Sequence, residues 1–500
     1  MDVNVTKANV STVSKKQQRM IKKARLARTL MGGTQAMREA KKEFLPQEPK
    51  ESDKLYENRV ARSVLYNMFS KAVGALTGKL FAEPIVLNGV PSELKNILED
   101  VEGQNGAGMD FNRFLSMVVN DGMAVGLCHI LVDMPALPKN EDGTERILTV
   151  AEAKKTGHRP RWFQYNLESV VSYRVGVDGK LDQLVLKENV IEPEGDFGEK
   201  EVTQYRVLKR GSWAIWRKLD QSTPDGEQYT IYDQGTTTLD FIPWVTIYCA
   251  KKIGFMEVES PLLDDLSHLN CTHWQSSSDQ RNILHVARVP ILFATGWEES
   301  QEGEKEQEVG ANTLIKQGTD ATLEYVEHTG ASIESGEKDL QHLEDQMAIA
   351  AMEPLVPKTG NQTATAKAIE TAEATSALQD IAQGLKDSVE QLLVVTGAYL
   401  NIGPEQAGEV VVNADFKMNL GDVATLGALY NARSLGDISR EAYLANLQKF
   451  KVLDSDYNAE EDKLLIDQET ATDIQETVTR AKALQSVAPT PPAKDQGGTQ

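Results

Sequence analysis

The stretch from Ser260 to Leu400 decides what this chain can become, because it is mostly helix and carries too little apolar surface to fold alone. Ser260 and Pro261 suit the cap and first turn of a helix. Leu262, Leu266, Leu269, Trp274, Ile283 and Leu284 lay a thin apolar stripe along a polar segment, and Pro290 closes it. A non-helical insertion follows. A second helical run, Glu337 to Glu353, carries Leu340, Leu343, Met347 and Ala350 on one side. Pro354 to Thr363 interrupts the helix with Pro, Gly, Asn and Thr. The long helix beyond it carries Leu378, Ile381, Leu385, Val389, Leu392 and Thr396 at three- and four-residue spacing. Neither of the two helices that bracket the insertion is apolar enough for a private core. The pattern therefore predicts partners in other subunits.

In order, the stretch reads "SPLLDDLSHLNCTHWQSSSDQRNILHVARVPILFATG", "LEYVEHTGASI", "DLQHLEDQMAIAAMEPL" and "TATAKAIE". These fragments resemble the portal proteins of tailed bacteriophages. The flanks agree, with "GGTQAMREAKKEFLPQEPKESDKLYENRVARSVLYNMFSKAVGALTGKLFAEP" before and "GEVVVNADF" and "GDISREAYLANL" after. Portals carry no catalytic motif, and it is the order of the fragments, over residues 30 to 470, that carries the likeness.

The resemblance implies an α+β fold, a portal-like multidomain subunit that assembles into a ring. A basic N-terminal arm (1–40) would precede an α/β wing (41–257). The first stem helix (258–288), a small α/β clip (289–335) and the second stem helix (336–354) would follow. After them would come a tunnel loop (355–368), a long wing helix and strand (369–420), a helical crown (421–485) and a disordered tail (486–500).

It also implies a function. The ring would form the channel at one capsid vertex through which double-stranded DNA is packaged and ejected. Lys358, Thr359, Gly360, Asn361, Gln362, Thr363 and Lys367 would face DNA in the tunnel loop. Trp297, with Glu298, Glu299, Glu302, Glu304, Glu306 and Glu308, would make the clip docking surface. The implied partners are further copies of the chain, on the order of twelve in a closed ring, and the DNA in transit. The terminase large subunit, a head–tail adaptor or tail protein, the major capsid protein and scaffold complete the set. The chain would be a virion component assembled in the host cytoplasm, with no cofactor and no enzymatic activity. The alternatives are a terminase-like packaging ATPase and a non-portal capsid or scaffolding component.

Composition agrees with a large acidic assembly subunit. Five hundred residues exceed one compact core. A mean hydropathy of −0.38, with no long apolar run, describes a soluble chain without a membrane span. The N-terminus has no apolar core region of the kind a signal peptide needs. Cys128, Cys249 and Cys271 are few and scattered, which argues for a reducing compartment. A net charge of −21 argues against gripping DNA by its phosphates, which takes clustered Lys and Arg. A channel passing many phosphates needs the opposite, a lumen that holds none. The exception is the arm, where Lys7, Lys15, Lys16, Arg19, Lys22, Lys23, Arg25 and Arg28 face one acid, Asp2. It reads as a solvated tail, or as an arm touching an acidic neighbour or packaged DNA.

Along the chain, Ser52 to Leu80 reads as one helix with Leu65, Met68, Phe69, Ala72, Val73 and Leu76 on one face. Asp110 suits the cap of a second helix bearing Phe111, Phe114, Leu115, Val118 and Val119. "VGLCHILVDMP" reads as a buried strand, and Trp162 to Ala250 as strands with turns at Asp178-Gly179 and Arg210-Gly211. "NTLIKQ" and "ATLEYVE" read as short strands inside the insertion, and "EVVVNADF" as one after the long helix. Three helices, Asp422 to Ser434, Ser439 to Phe450 and Ala459 to Leu484, end the ordered sequence.

Three apparent motifs fail on spacing. "GALTGKL" at Gly74 has three residues between its glycines, and Leu80 follows Lys79, so a phosphate loop is excluded in favour of a helix terminus. His268, Cys271 and His273 share a helix, but His273 points about 140° away from His268, so helix–helix contacts outrank zinc. "DSDYNAEED" has Ala459 where a calcium loop needs Gly and Leu465 where it needs Glu, which leaves an acidic helix start.

Overall fold

The computed structural model describes residues 9–103, 108–135, 137–138, 146, 148–149, 152–153, 156–219, 228–287, 291–295, 322–326, 331–351, 364–414, 416, 423–449, 452–453 and 457–485. They belong to two compact units, one up to Phe416 and one from Lys417 onward.

The first unit is α+β. It opens with helices α1 (Lys15–Met31), α2 (Gly33–Ala40), α3 (Asp53–Arg62) and α4 (Met68–Leu80). Strand β1 (Val86–Asn88), α5 (Ser92–Leu98), α6 (Phe111–Val125), β2 (Leu127–Asp133) and β3 (Arg161–Tyr165) come next. An antiparallel run follows, β4 (Val170–Val175), β5 (Leu181–Glu194), β6 (Gly198–Lys209), β7 (Ser212–Lys218) and β8 (Tyr229–Thr236). Then come β9 (Trp244–Tyr248), β10 (Lys252–Gly254), β11 (Glu257–Val258) and α7 (Asp264–Ala287). Strands β12 (Ile291–Thr295) and β13 (Thr322–Val326), helices α8 (Ala331–Ala350) and α9 (Ala364–Tyr399), and β14 (Glu409–Val411) complete the unit.

From Lys15 onward the basic arm is packed helix rather than a solvated tail. Ser14 caps α1 through the Gln17 amide. Met20, Ala24, Ala27 and Leu30 recur at helical spacing and are buried, which leaves most cations on the outer side. Arg28 is the exception, pairing with Asp121 on α6 and with Glu168.

The single helix expected from Ser52 to Leu80 is two. Ser63 is extended and closes α3, and Asn67 caps α4 through the Ser70 amide. Residues 63–67 turn because their carbonyls are claimed from elsewhere. Arg38 donates to the Ser63 oxygen from both Nε and Nη2, at 3.0 and 2.9 Å. The segment from Gly74 to Leu80 lies within α4, and burial pulls the Lys79 ammonium below its ordinary pKa.

Asp110 caps α6 by accepting from the Arg113 amide, and Gly126 ends the helix in the left-handed region. Strand β2 is buried from Leu127 to Val132 and pairs with β3 and β9. The five-stranded sheet is a meander ordered β4-β5-β6-β7-β8. Gly179 and Gly211, with positive φ, form its first and third turns. Its inner face packs Leu184, Leu186 and Leu208 with Leu131, Ile242 and Trp244. Helix α9 packs on β9 and β2, and all six stripe residues read from the sequence, Leu378 through Thr396, are buried. Strand β14 pairs with β1.

The second unit holds α10 (Val423–Leu435), α11 (Arg440–Lys449) and α12 (Ala459–Gln485). Gly436, with φ of 81°, ends α10, and Ser439 caps α11 through the Ala442 amide. Residues 486–500 lie outside the described residues.

Candidate functional site

The candidate site is the part of the first unit that runs out along α7, through β12 and β13, and back along α8. Helix α7 starts at Asp264, three residues after Pro261, so Ser260 is not its cap. Its buried side includes Leu266 and Trp274, and beside them Ser267, Asn270, His273, Ser277, Ser278 and Gln280, all buried although polar.

Asn270, Ser278 and several more exposed polar groups of α7 are met by the chain's own residues 44–69. Asn270 spans the break between the two helices: its Nδ2 donates to the Tyr66 carbonyl at 2.9 Å and its Oδ1 accepts from the Phe69 amide at 2.9 Å. Ser63 donates to Ser278 at 2.8 Å, and Arg62 to Asn282 at 3.0 Å. Gln275 donates to the Phe44 carbonyl at 3.0 Å. Arg59 is 5% exposed at its side chain; it forks onto Glu51 with two bonds of 2.9 Å and reaches Asp279 on α7 at 3.3 Å. The reason given by sequence for partners in other subunits is therefore corrected. Helix α7 lacks apolar surface because it docks through hydrogen bonds within its own chain, and buried polar groups are stable only when so paired.

Helix α8 lies against α7. Leu343 and Met347 are buried as the stripe predicts, together with Ala348 and Ala351, while Leu340 and Ala350 are half-buried. Polar contacts tie the pair together: Gln280 donates to the Ile333 carbonyl at 2.8 Å, and His273 Nε2 lies 3.3 Å from Glu344 Oε1. His273 is thus an interhelical contact, and Cys271 lies on the Phe44 side of α7. Helix α8 begins at Ala331, five residues earlier than the sequence boundary, because Ala331 to Gly336 continue the helix against Gln280.

Between the two helices, β12 and β13 pair antiparallel from Ile291↔Val326 to Thr295↔Thr322. "ATLEYVE" is one of the two strands expected there. Its partner is "ILFAT", which sequence reading left unassigned, and "NTLIKQ" lies outside the described residues. So do Trp297, Glu298, Glu299, Glu302, Glu304, Glu306 and Glu308. Lys358, Thr359, Gly360, Asn361, Gln362 and Thr363 lie outside them as well. Lys367 corrects the loop boundary: it sits in α9, which starts at Ala364 because Ala364, Ala366 and Ala368 are strong helix formers. Among the described residues no cluster of His, Cys, Asp or Glu could hold a metal ion.

Residues 261–400, from just before α7 to the end of α9, match the model of a domain of unknown function, DUF4055. No curated protein sequence matches the chain. Among solved structures the chain is similar to a component of the neck of a native gene transfer agent (GTA) particle with C12 symmetry. That chain is 11% identical, the match covers 76% of this chain and 89% of that one, and the TM-score is 0.40. A chain in the virion of the native particle matches with 12% identity, the same coverage and a TM-score of 0.40. One in the neck of the empty particle, with C6 symmetry, matches with 12% identity, 80% and 89% coverage, and a TM-score of 0.39.

Proposed function

We propose that the chain is the portal subunit of a tailed phage or phage-like particle, a ring through which double-stranded DNA enters the head and later leaves. One observation carries the reading. A polar helix, a two-stranded hairpin, a returning helix and a long helix follow one another in α7, β12–β13, α8 and α9, on an α+β body. That is the stem, clip, stem and wing-helix order of the family that the sequence resembles. A net charge of −21 favours a non-adhesive channel, since carboxylates repel passing phosphates. In this reading the segment from Lys358 to Thr363, with Lys367 just beyond it, touches DNA in transit. Trp297 and the acids from Glu298 to Glu308 receive first the packaging motor, the terminase large subunit, and then the head–tail adaptor, an aromatic anchor within a polar rim.

Negative-stain images of the purified protein test the assembly: rings with a central hole are expected. Mass photometry that finds only the 55.2 kDa chain at micromolar concentration overturns it. DNA-stimulated ATP hydrolysis by the pure protein would favour a packaging ATPase instead, although the Gly74–Leu80 segment offers no phosphate loop inside α4.

A further inference from the structure

The five-stranded sheet has a second face, away from the core, and it is only partly covered. The non-helical segment Asn9–Ser14 crosses it: Val10 and Val13 pack with Val171, Val185, Tyr205 and Val207, and the Ser14 amide donates to the Val171 carbonyl at 2.9 Å. Beside that segment a groove of about 1300 Å³ remains open.

The strand register organises the groove in layers. One rung crosses all five strands as Arg174, Gln183, Lys209, Ser212 and Thr236. Two residues along the strands, the next rung is Ser172, Val185, Val207, Ala214 and Gln234. Beyond it stand Trp216, Tyr229 and Ile231. The groove therefore runs from a cationic, amide- and hydroxyl-bearing rim to an apolar floor and an aromatic wall.

Its charge is unlike that of the rest of the molecule. The chain has 74 acids, yet none of the described residues lining the groove is Asp or Glu. Other arginines of this sheet are committed: Arg206 to Asp133 and Glu188, Arg210 to Asp178 and Asp182, Arg217 to Glu192. Arg174 and Lys209 are exposed and make no ion pair among the described residues. They stand on strands separated by one other, about 10 Å apart at the backbone. A single carboxylate between them is within reach of both side chains.

We propose that this groove is the docking site for an extended peptide segment of a partner protein, one in which a carboxylate lies next to a large apolar side chain. The carboxylate sits between Arg174 and Lys209. The apolar side chain lies on Ala214 and Val207 against Trp216. The face already accepts non-helical chain, since Val10 and Val13 lie on it and the Ser14 amide bonds to the Val171 carbonyl. A nucleic acid fits less well, because two cations neutralise few phosphates, although Trp216 and Tyr229 could stack a base. This inference goes beyond the portal reading and does not depend on it.

A yeast-displayed library of random dodecapeptides, selected against the full-length protein, tests it. Enriched peptides should carry Asp or Glu next to a large apolar residue. They should bind at least tenfold more weakly to the double variant Arg174→Glu/Lys209→Glu. Ala214→Trp, which fills the floor without altering charge, should block them with no change in particle size or melting. Recovery of no binding peptide overturns the proposal. So do enriched peptides without carboxylates, binding indifferent to both variants, and displacement by a single-stranded DNA oligonucleotide but not by a synthetic acidic peptide.

Discussion

The indole N–H of Trp162 on β3 donates to Thr396 Oγ1 on α9 at 3.0 Å, across 234 positions of sequence, with both side chains buried. Thr396 in turn donates a hydrogen bond to the Leu392 carbonyl at 2.7 Å, so the pair closes a short chain of bonds between sheet and long helix. Thr396→Val keeps the shape but strands the indole donor, which should cost about 1–3 kcal/mol. Trp162→Phe should cost a similar amount through lost packing. Once the donor is gone, Thr396→Val orphans nothing further. The double variant should therefore fall short of the sum of the singles by about 1 kcal/mol, as contacting residues do. Urea unfolding followed by circular dichroism checks this, and strict additivity would mean that the bond contributes nothing.

The anchor of α7 should be acid-sensitive at one residue and not at its neighbour. The forked bonds from Arg59 hold the Glu51 carboxyl below its usual range. A depressed folded value means stabilisation that is complete above the unfolded carboxylate value, about 4.3, and lost as pH falls through the folded one. Asp279 runs the other way, because partial desolvation raises its carboxyl despite the Arg59 charge. Its ionisation is disfavoured in the fold, so its effect on stability improves as pH falls through that raised value. Glu51→Gln should lower the urea midpoint at pH 7 and lose this effect below about pH 4. Asp279→Asn should be neutral or stabilising at pH 7. Arg59→Ala, which strands Glu51, should cost about 3 kcal/mol. Equal pH profiles for the two carboxylate variants would contradict the assignment.

Two glycines with positive φ separate conformational strain from crowding. Gly436 has φ of 81° and open space where a Cβ would stand. Gly126 has φ of 98°, and its Cβ would meet Val258 Cγ2 at 2.8 Å. Gly436→Ala should cost about 1 kcal/mol, the left-handed penalty alone. Gly126→Ala should cost about 1–3 kcal/mol more, through overpacking at the end of α6. Trimming Val258 to Ala should relieve part of the Gly126→Ala cost and none of the Gly436→Ala cost, read as melting temperature in each background.

Where a helix keeps one environment along its length, its sequence was legible. Leu378, Ile381, Leu385, Val389 and Leu392 enter one core and Thr396 is buried beside it, so a single stripe describes α9. Asp110 and Ser439 act locally and were readable as caps. What stayed hidden depends on distant partners. The break at residues 63–67 follows from Arg38, and from Asn270 some 204 positions away, while Leu65, Met68 and Phe69 continue an unbroken apolar pattern. In α1 a usable signal was present: Met20, Ala24, Ala27 and Leu30 keep helical spacing, but small alanines beside many cations do not stand out as a core face. The polar docking of α7 was hidden for the same reason, since Ser, Asn and Gln on a stripe look solvated until their partners are known. Of the residues read as DNA-facing, only Lys367 falls within the described chain, in α9 rather than in a loop.

The segment between α8 and α9 gives the most direct test of DNA passage. Pro354 and Pro357 cannot continue a helix, Gly360 and Asn361 admit backbone shapes that a helix does not use, and α9 resumes at Ala364. A segment that touches moving DNA must be polar and weakly charged, because each phosphate held by a cation has to be released again. The sequence here, with Lys358, Thr359, Gln362 and Thr363, meets that requirement. On the portal reading proposed above, adding two or more arginines between Thr359 and Thr365 should turn brief DNA contacts into holding ones through counterion release. Packaging should slow or stall, ring assembly should be unchanged by mass photometry, and the stall should weaken as salt rises. A packaging rate equal to wild type in single-molecule measurements, with intact rings, would mean that this segment does not face the DNA. A loss of rings would instead assign it to assembly.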